Sequence, residues 1–149
     1  MNVTISKADS KDFPAIFSLI KEFSIFQQTP QKVTITLEQM MEDENIFKCF
    51  VAETADKNIV GFATFFFSYH SWTGKALYVD DLYVTEAFRK QGIGERLLNT
   101  LINLGKDNCC KKVRWQVSKW NTDAIGFYKK MGAVIDDTDI NCDLTIKGN

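Results

Sequence analysis

The chain has 149 residues, a length that suits one folded domain with a sizeable core, and a single domain is predicted over residues 1–149. Its net charge of −1 creates no overall field that attracts nucleic acid or an anionic membrane, so neither is expected as a partner. Four cysteines without a Cys-x-x-Cys pair, and a single histidine, argue against a metal site and favour free thiols in a reducing cytoplasm.

Local patterns predict one strand and two helices in the first third of the chain. Residues 3–8 alternate like a strand, and Asp9 or Ser10 can then cap a helix. The apolar face of this helix carries Phe13, Ile16, Phe17 and Ile20. Thr36 and Gln39 match a capping box, which predicts a short helix that continues to Asp43.

Three strand patterns follow, over Phe47–Thr54, Ile59–Ser68 and Lys75–Val84. The polar stretch Asp56-Lys57-Asn58 predicts a hairpin turn between the first two strands. Residues 69–74 connect the second strand to the third. Strands joined this closely in sequence are expected to pair as neighbours in one sheet.

The remaining patterns alternate helices and strands. A helix is predicted from Ile93 to Asn108, then a strand over Lys112–Ser118 and a helix over Thr122–Met131 that Gly132 ends. The apolar face of the first of these helices carries Ile93, Leu97, Leu101 and Leu104. Two short strands, around residues 133–136 and 142–147, complete the order β-α-α-β-β-β-α-β-α-β-β. This order predicts an α/β fold with a mixed sheet and helices on both faces.

The turn between the third strand and the long helix is the most informative segment. It reads Arg89-Lys90-Gln91-Gly92-Ile93-Gly94. The first N–H groups of a helix lack internal acceptors and carry partial positive charge. Glycines let a phosphate approach the backbone closely, and Arg89 and Lys90 add charge at the edge. The turn is therefore a candidate phosphate-binding site.

Two standard nucleotide motifs do not fit this turn. The dinucleotide fingerprint requires a third glycine where Leu97 stands, and the mononucleotide loop requires Gly-Lys-Ser/Thr. An ordinary strand-to-helix turn remains an open alternative on these six residues alone.

Three spaced motifs together resemble a known family. They are Tyr78-Val79-Asp80-Asp81-Leu82-Tyr83-Val84, Arg89-x-x-Gly92-x-Gly94, and Trp120-Asn121 followed by Phe127-Tyr128-Lys129-Lys130-Met131-Gly132-Ala133. Over nearly the whole chain the sequence is similar to the GCN5-related N-acetyltransferases (GNAT). Residues 59–63 and 72–75 are similar to the diamine branch of spermidine/spermine type. The resemblance implies a mostly antiparallel twisted sheet.

The resemblance also implies transfer of an acetyl group from acetyl-CoA to an amine, without a metal. The diphosphate is expected at the glycine turn, and the pantetheine arm is expected to pair with the third strand. The implied cofactor contacts are Leu82, Tyr83, Val84, Arg89, Lys90, Gln91, Gly92, Ile93, Gly94, Glu95, Asn121, Asp123, Ala124 and Tyr128. The diamine branch further implies a homodimer.

Two residues are the catalytic candidates. An aliphatic amine is mostly protonated at neutral pH, so the site must remove a proton before attack. The resemblance places the base, usually a glutamate, at Asp80, and the shorter aspartate favours a bridging water. Tyr128 is the candidate acid for the departing thiolate. Hydrogen-bonded strand carboxylates and a core tyrosine are the structural alternatives.

The expected acceptor contacts surround these two residues. They are Phe26, Gln27, His70, Trp72, Asp80, Asp81 and Trp115. Adjacent strand residues face opposite sides unless a bulge intervenes, so only one of the two aspartates is expected to face the acceptor in a regular strand. In the resembling branch some members carry an acidic residue at the position of His70 and a glutamate at the position of Gln27, so both departures remove negative charge and weaken a polyamine assignment in particular. A protein or peptide N-acetyltransferase and a non-catalytic acyl-CoA sensor remain alternatives.

Overall fold

The computed structural model describes residues 2–146 and 148, and the chain folds as two compact units, Met1–Gln116 and Val117–Asn149. The first unit contains a five-stranded sheet with the strand order β1-β2-β3-β4-β5. The strands are β1 (Val3–Lys7), β2 (Lys48–Thr54), β3 (Ile59–His70), β4 (Gly74–Val84) and β5 (Lys112–Trp115). Neighbours from β1 to β4 pair antiparallel, and β5 pairs parallel to β4. The predicted mixed α/β sheet is thus confirmed.

Among the described residues, three α-helices belong to the first unit and one to the second. They are α1 (Phe13–Phe26), α2 (Leu37–Glu42), α3 (Ile93–Asp107) and α4 (Thr122–Lys130). Short 3-10 turns cover residues 10–12, 30–32 and 86–88. Within the described residues, no helix has the length and apolar character that a membrane span requires.

The helices of the first unit lie on both faces of the sheet. Phe62 of β3 is fully buried in a core cluster with Phe13 and Ile16 of α1. Its neighbour Gly61 faces the other way, where an added Cβ would meet Leu97 of α3 at 3.4 Å. Because adjacent strand residues alternate, α1 and α3 cover opposite faces. Each fully buried Phe or Leu side chain contributes roughly 2 kcal/mol of burial free energy to this packing.

Side-chain caps begin the first two helical segments, as predicted. Asp9 accepts the N–H of Lys11 at 3.1 Å at the 3-10 turn that leads into α1. Thr36 accepts the N–H of Gln39 at 3.1 Å at the start of α2. The reciprocal half of the predicted second box is not formed, because the Gln39 amide donates to Asp43 instead, at 3.2 Å.

The two predicted carboxyl-terminal strands are not formed in the described residues. Residues 133–136 and 142–146 are irregular, and Lys147, the last residue of the second prediction, lies outside the described residues. Strand β5 also ends at Trp115 rather than at Ser118. A strand needs a partner for its backbone groups, and β5 has no neighbour beyond β4 among the described strands.

In its described residues, the second unit contains α4, with turns and irregular structure over residues 117–121 before it and 131–146 after it. Asn121 caps α4 by accepting the N–H of Ala124 at 3.3 Å. Gly132 adopts a φ of 95°, and the following residue, Ala133, donates its N–H to the carbonyl of Tyr128 at 3.1 Å. This left-handed glycine ends α4 as the sequence predicted.

Candidate active site

Strand β4 contains a β-bulge at its two adjacent aspartates. Thr64 of β3 lies opposite Asp81, and the next residue, Phe65, lies opposite Val79, so Asp80 has no partner on β3. An inserted residue of this kind re-aims the side chains of its strand. The bulge is visible only in the pairing of β3 with β4. Sequence analysis named a bulge as the condition under which both aspartates could face the same side, but it could not locate one.

The bulge directs both aspartates to the α1 side of the sheet. Leu77, which precedes the bulge, lies 3.8 Å from the position that a Cβ would take on one glycine of α3. Val84, which follows the bulge, lies 3.8 Å from the same position on another glycine of α3. Both side chains therefore face α3. Because side chains alternate along a strand, Asp81, three residues before Val84, faces the opposite side. The charge of Asp80 raises the pKa of its two neighbours on that face, Tyr78 and Asp81, in each case after the larger effect of burial. Asp80 and Asp81 are called the acidic pair below.

The acidic pair holds two carboxyl groups with raised pKa values. Burial, and then the charge of Asp80, raises the pKa of Asp81 to about 6. Asp80 is exposed as a residue, but partial burial of its carboxyl still raises its pKa. No cation among the described residues forms an ion pair with either group. At neutral pH the pair therefore presents negative charge that can attract an ammonium group.

Thr64 of β3 supports the acidic pair through a hydrogen bond to its backbone. Thr64 is only 5% exposed, and its hydroxyl accepts the N–H of Asp81 at 3.0 Å. Cys49 lies opposite Thr64 on β2, and burial raises the pKa of its thiol to about 12. Because the thiol stays neutral, Cys49 is a core residue and not a nucleophile.

One edge of β4 is free beyond the bulge. The pairing of β4 with β5 ends at Val79 and Trp115. No described strand pairs with residues 80–84 on that side. Two parallel strands that separate in this way leave backbone groups of the longer strand without strand partners.

The backbone of β4 presents alternate residues to this edge. Thr85 donates its N–H to a carbonyl of β3 at 2.9 Å, so the N–H groups of Leu82 and Val84 point away from β3. An extended ligand chain can add to β4 there. Tyr83, also predicted as a cofactor contact, bonds towards β3 through its backbone and places its ring in the α1 core.

The glycine turn exposes the first N–H groups of α3. Lys90 and Gly92 have φ values of 62° and 79°, and Gly92 precedes the helix without a side-chain cap among the described residues. A Cβ on Gly94 would meet only Val84, at an ordinary contact distance of 3.8 Å. Packing within the described residues does not require glycine at this position, and the open space suits an incoming anion.

The other residues of the turn have different positions. Gln91 and Glu95 are exposed, and Glu95 lies in the first turn of α3, where its charge suits the positive helix end. Ile93 is 3% exposed and packs in the core. Its contribution to a bound phosphate is therefore limited to its backbone.

Arg89 extends towards α1. Its guanidinium lies 4.5 Å from the ring centroid of Phe26 and 5.2 Å from that of Tyr83. Its Nε donates to the Val84 carbonyl at 2.8 Å. The structure thus gives Arg89 a role in holding the turn against β4 and α1, whereas sequence analysis placed its charge at the phosphate.

Sequence analysis missed Glu22, which joins α1 to the end of β4. Its Oε2 accepts the hydroxyls of Tyr83 at 2.5 Å and Thr85 at 2.8 Å. Burial, and then this bond, raises the pKa of Tyr83 to about 12. The ring of the next residue, Phe23, stacks on Tyr83 at 4.9 Å, and this contact between α1 and β4 is visible only in the structure.

The predicted acceptor contacts fall in separate places. Phe26 ends α1 beside Arg89, and Gln27 follows it. His70 and Trp72 lie at the β3–β4 hairpin, and Trp72 is 96% exposed. Trp115 is opposite Val79 on the face towards α3. The structure therefore does not place Trp115 with the acidic pair, which corrects its assignment as an acceptor contact.

The second unit carries the remaining candidates on α4. Asp123 lies in the first turn of α4, next to Ala124. Ala124 donates its N–H to the side chain of Asn121. Tyr128 lies one turn further along the helix. Burial raises the pKa of Tyr128, so its phenol is protonated at neutral pH and can donate a proton.

The substitution Asp81→Asn is expected to stabilise the fold at neutral pH. The folded-state pKa of Asp81 is about 6 against an ordinary value of 3.8, so the folded chain binds more protons between these pH values. The carboxyl therefore costs stability as pH rises through that window. We expect a gain on the order of 2 kcal/mol in unfolding free energy above about pH 6, and none below about pH 4. Urea unfolding across pH measures it.

A matched control is Asp56→Asn in the exposed β2–β3 turn. This variant removes the same charge and is expected to leave the pH dependence of unfolding unchanged. A gain for Asp81→Asn that does not vary with pH would contradict the raised pKa.

Comparison with known proteins finds relatives that are named for N-acetyltransferases. A human protein named "Spermidine/spermine N(1)-acetyltransferase-like protein 1" is 34% identical over 140 residues, which cover 87% of this chain but only 20% of that protein, so the chain spans about a fifth of its length. "Thialysine N-epsilon-acetyltransferase" of Sus scrofa is 32% identical over 143 residues, covering 89% of this chain and 84% of that protein.

A solved structure shares the fold. An aminoglycoside acetyltransferase from an uncultured soil metagenomic sample, in complex with trehalose, has a TM-score of 0.78 and 22% identity, with 97% of both chains covered. Residues 13–133 match the acetyltransferase (GNAT) family. That match takes in the acidic pair, the glycine turn and Tyr128, and it shows that the chain belongs to the acetyltransferase (GNAT) family.

Proposed function

We propose that this GNAT-family enzyme transfers the acetyl group of acetyl-CoA to a primary amine of a small molecule. The carrying observation is the acidic pair, two carboxylates without a cationic partner among the described residues, set directly before the free edge of β4. Relatives named for thialysine and for spermidine/spermine support an acceptor of diamine, polyamine or lysine-like type.

The donor contacts follow from the backbone. The first N–H groups of α3, with the left-handed residues Lys90 and Gly92 before them, suit a diphosphate. The N–H groups of Leu82 and Val84 suit the amides of a pantetheine arm. Asn121, Asp123 and Ala124 are proposed as further contacts on the resemblance. Acetyl-CoA itself supplies the activated acetyl group as a thioester.

The acidic pair prepares the acceptor. An aliphatic amine has a pKa of about 10, so Asp80 first takes a proton from the ammonium, directly or through a water. The amine nitrogen then attacks the thioester carbon, and an N–H of β4 stabilises the developing oxyanion. A carbon–nitrogen bond forms, the carbon–sulfur bond breaks, and Tyr128 donates a proton to the departing thiolate. The nitrogen loses its second proton as the amide forms, and this proton passes through water to the Tyr128 oxygen and restores the phenol. The role of Tyr128 rests on the resemblance.

Several finer features belong to the same proposal. Phe26, Gln27, His70 and Trp72 are proposed acceptor contacts. A homodimer is proposed on the resemblance to the diamine branch, and size-exclusion chromatography with light scattering tests it. The four free cysteines are consistent with a reducing cytoplasm as the location.

Free-CoA release with a panel of amines tests the function. The panel runs from spermidine and putrescine through lysine analogues to peptides with free amino termini, each against an acetyl-CoA-only blank. We expect at least one small amine to rise well above the blank. Tyr128→Phe is expected to lower that signal by roughly tenfold to 100-fold in kcat, because a thiolate leaving group needs only modest protonation.

The outcomes separate the alternatives. Turnover with peptides alone would favour a protein N-acetyltransferase. A flat panel alongside saturable acetyl-CoA binding would contradict the enzyme assignment and favour a sensor. Full activity in Tyr128→Phe would contradict only the assignment of the acid.

A further inference from the structure

The sheet face that carries the acidic pair continues as an exposed strip towards the β3–β4 hairpin. Tyr78 of β4 pairs with Phe66 of β3, and their rings stack at 5.0 Å. Phe66 is 46% exposed, so this part of the face is open. On the other side of Tyr78, the partner on β5 is Arg114. Residues paired across adjacent strands share a face, so Arg114 lies on the strip.

The far end of the strip is basic. Lys112 of β5 lies opposite Ala76, one step beyond Arg114 on the same face. His70, at the end of β3, is on this face too, because it is two residues from Ser68 and its ring nitrogen lies 3.2 Å from the Ser68 hydroxyl. Lys112, Arg114 and His70 line an open pocket of about 500 Å³ at the hairpin, with Trp72 at its side.

The two ends of the strip carry opposite charges that do not neutralise each other. The acidic pair makes no ion pair within the described part of the chain, and neither do Lys112 and Arg114. Tyr78 lies between them, since Asp80 and Arg114 shift its pKa in opposite directions, with burial the larger cause. Strand rise and spacing separate the Cα atoms of Asp80 and Arg114 by about 8 Å.

This arrangement fits one kind of acceptor. An ammonium at the acidic pair leaves the rest of a short aliphatic chain over the rings of Phe66 and Tyr78. The far end of that chain then meets Arg114. A second cation there would be repelled by about 1 kcal/mol or more near a surface, whereas a carboxylate would gain a charge-assisted hydrogen bond.

We propose that the acceptor is an amine whose far end carries an anionic group, such as an ω-amino carboxylate, and that Arg114 selects it by binding that group. The inference rests on the proposed function and narrows its acceptor class. Arg114 makes no contact with the reacting atoms, so it determines specificity and takes no part in the chemical step.

Three acceptors with the same primary amine and the same chain length test the effect of the charge at the far end of the chain. They are ε-aminocaproate, its amide, and hexamethylenediamine, which end in a negative, a neutral and a positive group. We expect the wild-type enzyme to rank them in that order by kcat/KM. In Arg114→Glu we expect the order to reverse, with about a tenfold loss for the carboxylate, carried by KM while kcat is retained.

The matched control is Lys7→Glu, which makes the same change of charge on β1, at the opposite edge of the sheet. It is expected to keep the wild-type order. Arg114→Lys retains the charge and is expected to recover most of the preference for the carboxylate.

Two results would overturn the inference in distinguishable ways. If the wild-type enzyme acetylates these amines and Arg114→Glu keeps their order, the specificity assignment is wrong and the proposed function stands. If no amine of this set or of the wider panel is acetylated, the proposed function fails and this inference fails with it.

Discussion

Replacement of Asp80 by asparagine is expected to lower kcat/KM for the amine by about 100-fold to 1,000-fold at neutral pH. Asparagine keeps the size of the side chain but cannot accept a proton from the ammonium. The loss should shrink as pH rises towards the pKa of the amine, because more of the acceptor then arrives already neutral. Steady-state rates from neutral pH upwards measure this recovery.

The split between kcat and KM distinguishes two roles of Asp80. If Asp80 only attracts the ammonium, Asp80→Asn raises KM and leaves kcat unchanged, which would contradict the assignment as base. Asp80→Glu restores the residue that the resemblance expects and should retain most activity. Asp81→Asn, on the same bulge, is expected to act mainly on the KM of the amine, and Asp56→Asn in the β2–β3 turn should leave both constants unchanged.

The functional importance of Asp80 could be predicted from sequence, but its geometry could not. The pattern of residues 77–84 predicts a strand, and a strict alternation would send the two aspartates to opposite faces. Their actual arrangement depends on the register against β3. Consecutive residues Thr64 and Phe65 pair on either side of Asp80 and leave it without a partner on that strand. Register is a property of two strands together, so one segment of sequence cannot supply it.

Arg89 illustrates the same limit for side chains. Its place next to two glycines favoured a phosphate contact, because neighbours in sequence were all that could be considered. The structure brings Phe26 and Tyr83 to within about 5 Å of its guanidinium. These partners come from α1 and β4, and their approach follows from packing of the helix on the sheet.

The carboxyl-terminal segment shows a pattern without its structure. Ile140, Cys142, Leu144 and Ile146 alternate with polar residues, which is typical of a strand. The described residues offer no strand partner to this segment, and Leu144 is 93% exposed. Periodicity shows which side chains would share a face. It does not show whether a sheet edge is available to satisfy the backbone.

Substitutions at Gly94 are expected to weaken acetyl-CoA binding without unfolding the chain. The first added carbon meets only Val84, at 3.8 Å, so the fold has room for it. That carbon occupies the space above the first N–H groups of α3, where a diphosphate is proposed to bind. Each charge-assisted hydrogen bond lost there costs about 1.5–3 kcal/mol, so we expect roughly tenfold weaker binding in Gly94→Ala and 100-fold or weaker in Gly94→Val. Calorimetric titration with acetyl-CoA measures the dissociation constant.

Substitution of a second glycine of α3 is expected to have the opposite effects on stability and on acetyl-CoA binding. A Cβ on Gly105 would approach Val113 at 3.2 Å, which is tight, so Gly105→Ala is expected to lower the Tm and to leave acetyl-CoA affinity unchanged. Gly94→Ala should keep or slightly raise the Tm, because alanine is the better helix former by up to about 1 kcal/mol. If Gly94→Val bound acetyl-CoA like the wild-type enzyme, the turn before α3 would be an ordinary strand-to-helix connection, and the diphosphate would have to bind elsewhere.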